Sequence, residues 1–283
     1  MRSTDSNTHE EMTNIGVLGP LRVTVGGTSL VPTAGKPRQL LALLTLRHGQ
    51  ILPVSTLMEE IWGDAIPRSG LTTLQTYIMQ LRRLIGTSLN SSGTTAKDVL
   101  ATSFNGYQLN LRAGTFDLRE FERLAAAGDR ELERGRAAEA SGHLRDALAL
   151  WRGPALIDVP VGRVLSLEII GMDEARMRVE EQRIVSELVM GRHAQLIPDL
   201  RMLVAQHPMN ENLSALLMIA FQRMGAEWRA LEVFRNLRQA LSSELGVEPS
   251  HHLQKLHQAL LTQAPELPAI AGLRFTRSHP PLI

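Results

Sequence analysis

The chain has 283 residues and no cysteine. The absence of thiols excludes disulfides, cysteine nucleophiles and cysteine-ligated zinc. Long apolar runs are also lacking, so no segment is suited to cross a bilayer as a helix, and residues 1–13 lack the apolar stretch of a signal peptide. We therefore expect a cytoplasmic protein without a membrane partner, in which residues 1–13 form a disordered leader and residues 266–283 a tail of unassigned role.

Patterns of catalytic and metal-binding residues are missing as well. The sequence contains neither the phosphate-binding pattern GxxxxGK[ST] nor a recognisable nucleophile–base pair. His251, His252 and His257 lie close together, but their spacing does not direct the imidazoles at one ion as an i, i+4 pair would. We expect no enzymatic activity, no cofactor and no metal site.

The net charge of +1 conceals an uneven distribution of charge. Residues 14–112 contain nine Lys and Arg against four acidic residues, whereas residues 113–283 contain 20 against 22. A basic N-terminal part followed by a slightly acidic one is typical of a DNA-binding module with an effector attached.

Acidic residues are absent from Ile66 to Lys97, and this gap contains the most informative segment of the chain, residues 69–86. Its apolar residues recur at spacings of 3, 4, 3 and 4, which predicts one apolar stripe along a helix. The stripe comprises Leu71, Leu74, Ile78, Leu81 and Ile85.

The opposite face of this predicted helix carries hydroxyls, amides and cations, which are the groups that contact phosphates and base edges in a DNA major groove. The alternative interpretation is a solvated surface helix, but such helices usually mix acidic with basic residues. Arg82 lies nearer the buried edge than Arg83, which predicts a phosphate contact or an internal ion pair for it. The candidate DNA-binding residues of this helix are Ser69, Thr72, Thr73, Gln75, Thr76, Tyr77, Gln80, Arg82 and Arg83.

The residues on either side of this helix predict a compact mixed domain. Short strands over 15–18 and 21–25 open it, helices follow over 36–47 and up to Gly63, and 87–98 is predicted as a loop. Asn105-Gly106 predicts a β-hairpin between strands 99–102 and 107–111. Sheet, three helices and hairpin form the order of a winged helix-turn-helix, with the hairpin as the wing. Further candidate DNA contacts are Lys36 and Arg38 in the first turn of the first helix, and Lys97, Asn105, Gly106 and Tyr107 in the wing.

From Asp117 onwards the pattern is helical throughout. Asp117 and Glu120 predict a capping box. Gly191 and Gly225 begin similar segments 34 residues apart, which is the period of tetratricopeptide helix pairs, although an ordinary helical bundle remains the alternative. We predict an α+β winged-helix domain over 14–112, able to fold alone, and an all-α, tetratricopeptide-like domain over 117–265.

Motifs in both halves resemble those of the Streptomyces antibiotic regulatory protein family, in its short form. They occur in the expected order across roughly residues 15–262. The matching segments are Leu18-Gly19-Pro20-Leu21, Lys36-Pro37-Arg38-Gln39-Leu40-Leu41, Trp62-Gly63, Thr73-Leu74-Gln75-Thr76-Tyr77, Leu81-Arg82-Arg83-Leu84-Ile85-Gly86, Gly106-Tyr107, Ala149-Leu150-Trp151-Arg152-Gly153, Gly191-Arg192-His193 and Glu244-Leu245-Gly246-Val247-Glu248-Pro249.

The resemblance implies a winged-helix domain of the response-regulator output type (the OmpR/PhoB type) joined to a bacterial transcriptional activation domain. Such a protein activates a specialised-metabolite gene cluster by binding direct repeats in promoter DNA near the −35 region. It binds side by side as a dimer and recruits RNA polymerase, through the sigma factor and core subunits. Met79 and Gln80 stand where the family usually carries Ser and Arg, which indicates that the preferred bases differ from those of relatives.

Two other functions remain open from the sequence. The same DNA-binding domain would serve a repressor, whose helical half only dimerises or senses a ligand. Alternatively, the chain is a tetratricopeptide adaptor whose N-terminal domain no longer binds DNA. Salt-dependent binding to duplex DNA separates the adaptor from the other two, and recruitment of polymerase separates the activator from the repressor.

Overall fold

The computed structural model describes residues 13–89, 94–111 and 114–262. Residues 1–12 of the predicted leader and the tail 266–283 lie outside this range, whereas Thr13, the last residue of that leader, is buried in the first strand. The chain forms two compact units: the first contains residues up to Arg123 together with Ala147–Arg176, and the second contains Leu124–Asp146 together with the chain from Met177 onwards. The predicted domain boundaries, at 112 and 117, therefore differ from the division into compact units, because residues 147–176 pack within the first one.

The described residues contain seven strands and eleven helices. The strands are β1 (Thr13–Gly16), β2 (Arg22–Val25), β3 (Thr28–Ser29), β4 (Ile51–Pro53), β5 (Leu100–Ser103), β6 (Gly106–Leu109) and β7 (Gly114–Phe116). The helices are α1 (Gly35–Leu46), α2 (Val54–Trp62), α3 (Gly70–Ser88), α4 (Ala96–Val99), α5 (Asp117–Glu133), α6 (Ala137–Ala149), α7 (Arg163–Val189), α8 (His193–Gln206), α9 (Glu211–Arg223), α10 (Glu227–Leu245) and α11 (His251–Leu261).

The predicted N-terminal sheet is present and has four strands, because β3 and β7 join the two strands predicted over 15–18 and 21–25. Its order is β3-β2-β1-β7, with β1 antiparallel to β2 and parallel to β7. Ile15 lies opposite Val23 in one pair and opposite Phe116 in the other. The chain therefore returns to the first sheet after the wing, and the first compact unit extends beyond residue 112.

Helix α3 buries the predicted stripe except at its first position. Leu74, Ile78, Leu81 and Ile85 are almost fully buried, but Leu71 is 49% exposed. The prediction is wrong at Leu71 because Gly70 takes the inward position of the first turn, where a Cβ would lie 3.0 Å from side-chain atoms of both Ile66 and Met58. Leu71, one residue further along, is rotated towards solvent.

The wing is a three-stranded sheet of order β4-β6-β5. The predicted hairpin is confirmed, but its two-residue turn is Phe104-Asn105, since Gly106 already pairs with Ser103 and with Pro53. Gly106 lies in strand β6, not in the turn. Glycine is required at this position because a Cβ would clash with the Leu52 carbonyl oxygen of the neighbouring strand.

The segment 87–98, predicted as a loop, contains the end of α3 and the single turn α4. The Asp98 carboxylate accepts hydrogen bonds of 2.7 Å from both the amide and the hydroxyl of Thr95, and these bonds lower the pKa of Asp98. Because Val99 belongs to α4, the next strand begins at Leu100 and not at the predicted Val99.

Asp117 does not form the predicted capping box with Glu120. Its carboxylate instead accepts hydrogen bonds from the backbone amides of Val17, at 2.9 Å, and Leu18, at 3.1 Å, and pairs with Arg152 at 3.1 Å. The prediction fails because it considers only residues adjacent in sequence, whereas the orphan amides that Asp117 satisfies lie about 100 residues away.

Residues 150–162 pack along the turn between β1 and β2. The Arg152 amide donates to the Leu18 carbonyl oxygen at 2.8 Å, and the Leu156 amide donates to that of Gly19 at 2.8 Å. Leu156 is buried and has φ of 51°, a conformation that is costly for a residue with a branched side chain. The two backbone bonds and the burial of its side chain hold Leu156 in this conformation.

Glu60, at the end of α2, connects this segment to the helices of the winged-helix domain. Its carboxylate is buried and accepts hydrogen bonds from the amides of Gly162, Val164 and Leu165, at 2.7, 2.8 and 3.0 Å. Gln39 of α1 donates to the same carboxylate at 2.8 Å. Since α7 begins at Arg163, Glu60 satisfies amides that have no acceptor within their own helix.

The second unit is built from helix hairpins. The turns between α5 and α6, α7 and α8, and α9 and α10 each contain a glycine with positive φ: Gly135, Gly191 and Gly225. In each turn the residue after the glycine donates its amide hydrogen to the carbonyl oxygen five residues before that residue, as in a Schellman motif. Helix α9 is buried along Leu213–Phe221 and forms the centre of the core. This geometry agrees with the predicted repeated helix pairs.

None of the helices in the described ranges is long and apolar enough to cross a membrane.

Replacing Glu60 with Ala should lower the free energy of unfolding by about 3 kcal/mol or more, because several buried amide donors lose their acceptor. Urea denaturation monitored by circular dichroism measures this loss. The matched control is Glu59→Ala, which removes an exposed ion pair of 3.5 Å with Arg163 and should cost less than about 1 kcal/mol. Equal losses in the two variants would contradict a special role for Glu60.

Candidate nucleic-acid interface

The exposed face of α3 carries polar residues and no carboxylate, with Met79 as an apolar exception. Tyr77 and Thr73 lie at its edges and are half-buried, as is Arg82. Exposed residues of the face and of the turn before it are Ser69, Thr72, Gln75, Thr76, Met79, Gln80 and Arg83. Eight of the nine candidate residues of this helix, all except Arg82, thus share one accessible surface, which fits contact with an anionic polymer.

Two of the three threonine hydroxyls on this face, those of Thr73 and Thr76, already have partners. Thr73 donates to the Ser69 carbonyl oxygen at 2.9 Å, and Thr76 donates to that of Thr72 at 3.0 Å. Their protons are thus directed at the helix backbone rather than outwards. Among the candidates of α3 with longer side chains, Gln75, Gln80 and Arg83 are exposed and can donate to bases or phosphates.

Arg82 is directed at the wing. Its Nε and Nη2 atoms donate to the Leu100 carbonyl oxygen at 3.0 and 2.7 Å, and Nη2 also donates to the Thr102 hydroxyl at 2.8 Å. The sequence predicted a phosphate contact or an internal ion pair. In the structure the guanidinium forms an internal contact of a different kind, with neutral acceptors of β5, and so joins the wing to α3.

Lys36 and Tyr77 are brought together by Trp62. The Lys36 ammonium lies 5.3 Å from the centroid of the Trp62 ring, and that ring stacks on Tyr77 with centroids 6.3 Å apart. The Trp62 side chain is half-buried and so can contact both residues. The sequence alone could not reveal that the Trp62 ring links Lys36 to Tyr77, because these two residues belong to different helices, α1 and α3.

Arg38 lies elsewhere from Lys36 despite being close in sequence. Its Nε donates to the Pro32 carbonyl oxygen at 2.9 Å, and its Nη1 donates to the Asp158 carbonyl oxygen at 2.8 Å and lies 3.3 Å from the Asp158 carboxylate. Through these bonds the Arg38 guanidinium binds the segment 150–162. Arg38 is therefore a poor candidate for a DNA contact.

The predicted wing residues differ in accessibility. Lys97 in α4 and Asn105 at the turn are exposed, whereas Gly106 and Tyr107 are buried. The Tyr107 ring, 7% exposed, is part of the core. The sequence analysis missed Phe104, the other residue of the turn, whose side chain is fully exposed.

Of the three histidines near the end of the described chain, His251, His252 and His257, the last packs against an aromatic ring. His257 stacks on Phe234 with ring centroids 3.9 Å apart, and burial, followed by the nearby Arg238, lowers the pKa of its imidazole. No group of three or more ligating side chains that could hold a metal ion occurs among the described residues.

Comparison with known families divides the chain into two parts. The family model described as transcriptional regulatory protein, C terminal, matches residues 28–109, and that of the bacterial transcriptional activator domain matches residues 116–261. The match to the second family includes residues 147–176, which pack in the first compact unit.

Individual proteins show the same similarity. The chain is 48% identical over 267 residues to the regulatory protein DnrI of Streptomyces peucetius, covering 92% of this chain and 98% of that protein. It is 34% identical to the regulatory protein AfsR of Streptomyces coelicolor over 91% of this chain, but this is only 25% of the length of AfsR.

A solved structure of Mycobacterium tuberculosis EmbR in complex with a low affinity phosphopeptide superposes with a TM-score of 0.82. The two are 30% identical, and the match covers 91% of this chain and 67% of EmbR. These similarities confirm the predicted fold class, a winged-helix domain followed by a helical domain, and the regulatory rather than enzymatic character of the chain. The chain belongs to the Streptomyces antibiotic regulatory protein family of transcriptional regulators.

Proposed function

We propose that this protein activates transcription of a specialised-metabolite gene cluster. In this proposal two protomers bind side by side on direct repeats near the −35 region of a promoter and recruit RNA polymerase through its sigma factor and core subunits. The protein acts in the cytoplasm, on the nucleoid. Family membership supports a role in transcription, and the match of residues 116–261 to the bacterial transcriptional activator domain supports an activator rather than a repressor.

The single observation that carries DNA binding is the exposed face of α3. It contains Gln75, Gln80 and Arg83 without a carboxylate, and no hydrogen bond or ion pair from elsewhere in the described chain occupies these three side chains. Amides and guanidinium groups are the side chains that read adenine and guanine edges in the major groove. An α-helix fits this groove, and α3 has the position of the recognition helix in the winged-helix order.

Two further features support the same face. Arg82 fixes the wing to α3, so the two would approach DNA as one rigid element. Lys36, held over the Trp62 ring, adds a cation beside Tyr77 at the edge of the face. A cation at that place would contact a phosphate and position α3 without reading sequence.

Replacing Arg83 with Ala should weaken binding to promoter duplexes adjoining the protein's own gene by about 1–3 kcal/mol, the usual value of one direct base contact. Fluorescence anisotropy at fixed salt measures the change. The matched control is Arg22→Ala, which removes an exposed arginine of β2 and so produces the same change of net charge. Equal loss in both variants, or no loss in either, would show that α3 does not read the DNA.

In vitro transcription from the same promoter, at protein concentrations that saturate the DNA, tests activation directly. The proposal expects more transcript in the presence of the protein, because polymerase is recruited by a protein already bound. A decrease in transcript would identify a repressor. Failure of the purified protein to bind duplex DNA in a salt-dependent manner would leave the adaptor as the better account.

A further inference from the structure

The tip of the wing presents a large aromatic side chain to solvent. Phe104 occupies the first position of the two-residue turn between β5 and β6, and its side chain is fully exposed. Phenylalanine is not among the residues that turns favour, which are Gly, Pro, Asn, Asp and Ser. Since the ring also buries no surface within the described chain, neither the turn nor the core explains the presence of Phe104.

The backbone around Phe104 is held in place on both sides. The Val54 amide donates to the Asn105 carbonyl oxygen at 3.0 Å, and Gly106 pairs with both Ser103 and Pro53. Arg82 secures the other end of β5 to α3 through the Leu100 carbonyl oxygen. The backbone that carries the ring is therefore linked to α3 through β5.

The chemistry around the tip suits a polyanion. No acidic residue occurs between Val99 and Phe116, or between His48 and Met58 in the segment that contains β4. The neighbouring side chains offer hydroxyls and an amide, with Asn105 exposed directly beside Phe104. An apolar ring on a surface without carboxylates can approach phosphate-lined DNA without electrostatic repulsion.

We propose that Phe104 is a DNA contact, and that its ring enters the minor groove beside the major-groove segment facing α3. This inference rests on the proposed function, since it requires α3 to bind the major groove. Apolar side chains are inserted into the minor groove by several classes of DNA-binding protein. The ring would pack against the sugars that form the groove walls, and the Asn105 amide would reach acceptors on the groove floor.

A Phe104 ring in the minor groove would restrict which base pairs the DNA can have at that position. The floor of the minor groove displays only acceptors at A·T pairs, whereas a G·C pair adds the guanine N2 amino group, which projects into the groove. An inserted ring would collide with this amino group. Phe104 should therefore impose a preference for A·T pairs at one position outside the segment read by α3.

The test measures affinities of the full chain and of Phe104→Ala for a set of promoter duplexes. Successive A·T pairs flanking the segment protected by the protein are replaced by G·C and, separately, by inosine·C, which lacks the N2 amino group. For the unaltered protein we expect one position at which G·C lowers affinity about tenfold or more and inosine·C restores it. Phe104→Ala should bind the original duplex about tenfold more weakly and should be indifferent to base identity at that position.

Ile51→Ala is the matched control, because Ile51 is an exposed apolar residue of the same sheet, on β4, and should leave both affinity and base preference unchanged. Unchanged affinity and preference in Phe104→Ala would overturn the inference while leaving the proposed function intact. So would a loss of transcription at full DNA occupancy with unaltered binding, which would assign Phe104 to a polymerase contact. If the unaltered protein discriminates no promoter duplex from random DNA, the proposed function itself fails.

Discussion

The buried carboxylate of Glu60 is the interaction on which the rest of the first unit depends. An ionisable group removed from water is costly unless every lone pair finds a donor. Here three backbone amides at the start of α7 and the Gln39 side chain supply the donors. Because these donors come from α1 and from residues 162–165, the carboxylate can be satisfied only when the winged-helix domain and the start of α7 are folded together.

Asp117 and Asp158 act in the same way as Glu60, since their carboxylates also accept hydrogen bonds from backbone amides that are distant in sequence. Asp117 satisfies the amides of Val17 and Leu18, and the Asp158 carboxylate accepts from the Leu21 amide at 2.7 Å. Each contact joins the first sheet to a residue that belongs, by sequence, to the activation domain. The compact unit that carries α3 therefore extends beyond residue 112 and includes residues 147–176.

Sequence analysis succeeds where the information is local and periodic. The stripe of α3, the Asn105-Gly106 hairpin and the glycine turns of the helical half depend on residues within one or two turns of each other. It fails where the partner is distant, as for β7, Glu60 and the Asp117 carboxylate. It also misses Phe104, because exposure depends on how several elements pack. Whether the candidate residues contact DNA stays a prediction, while Arg38, Arg82 and Tyr107 already have structural roles.

Native-state hydrogen exchange tests most directly whether the winged-helix domain and the start of α7 form one folding unit. The amides of Val164 and Leu165 lie in the first turn of α7, where no intrahelical acceptor exists, so only Glu60 protects them. The account predicts that they exchange with the same opening free energy as the Leu43 amide in the core of α1. Rapid exchange of Val164 and Leu165 while Leu43 stays protected would contradict it.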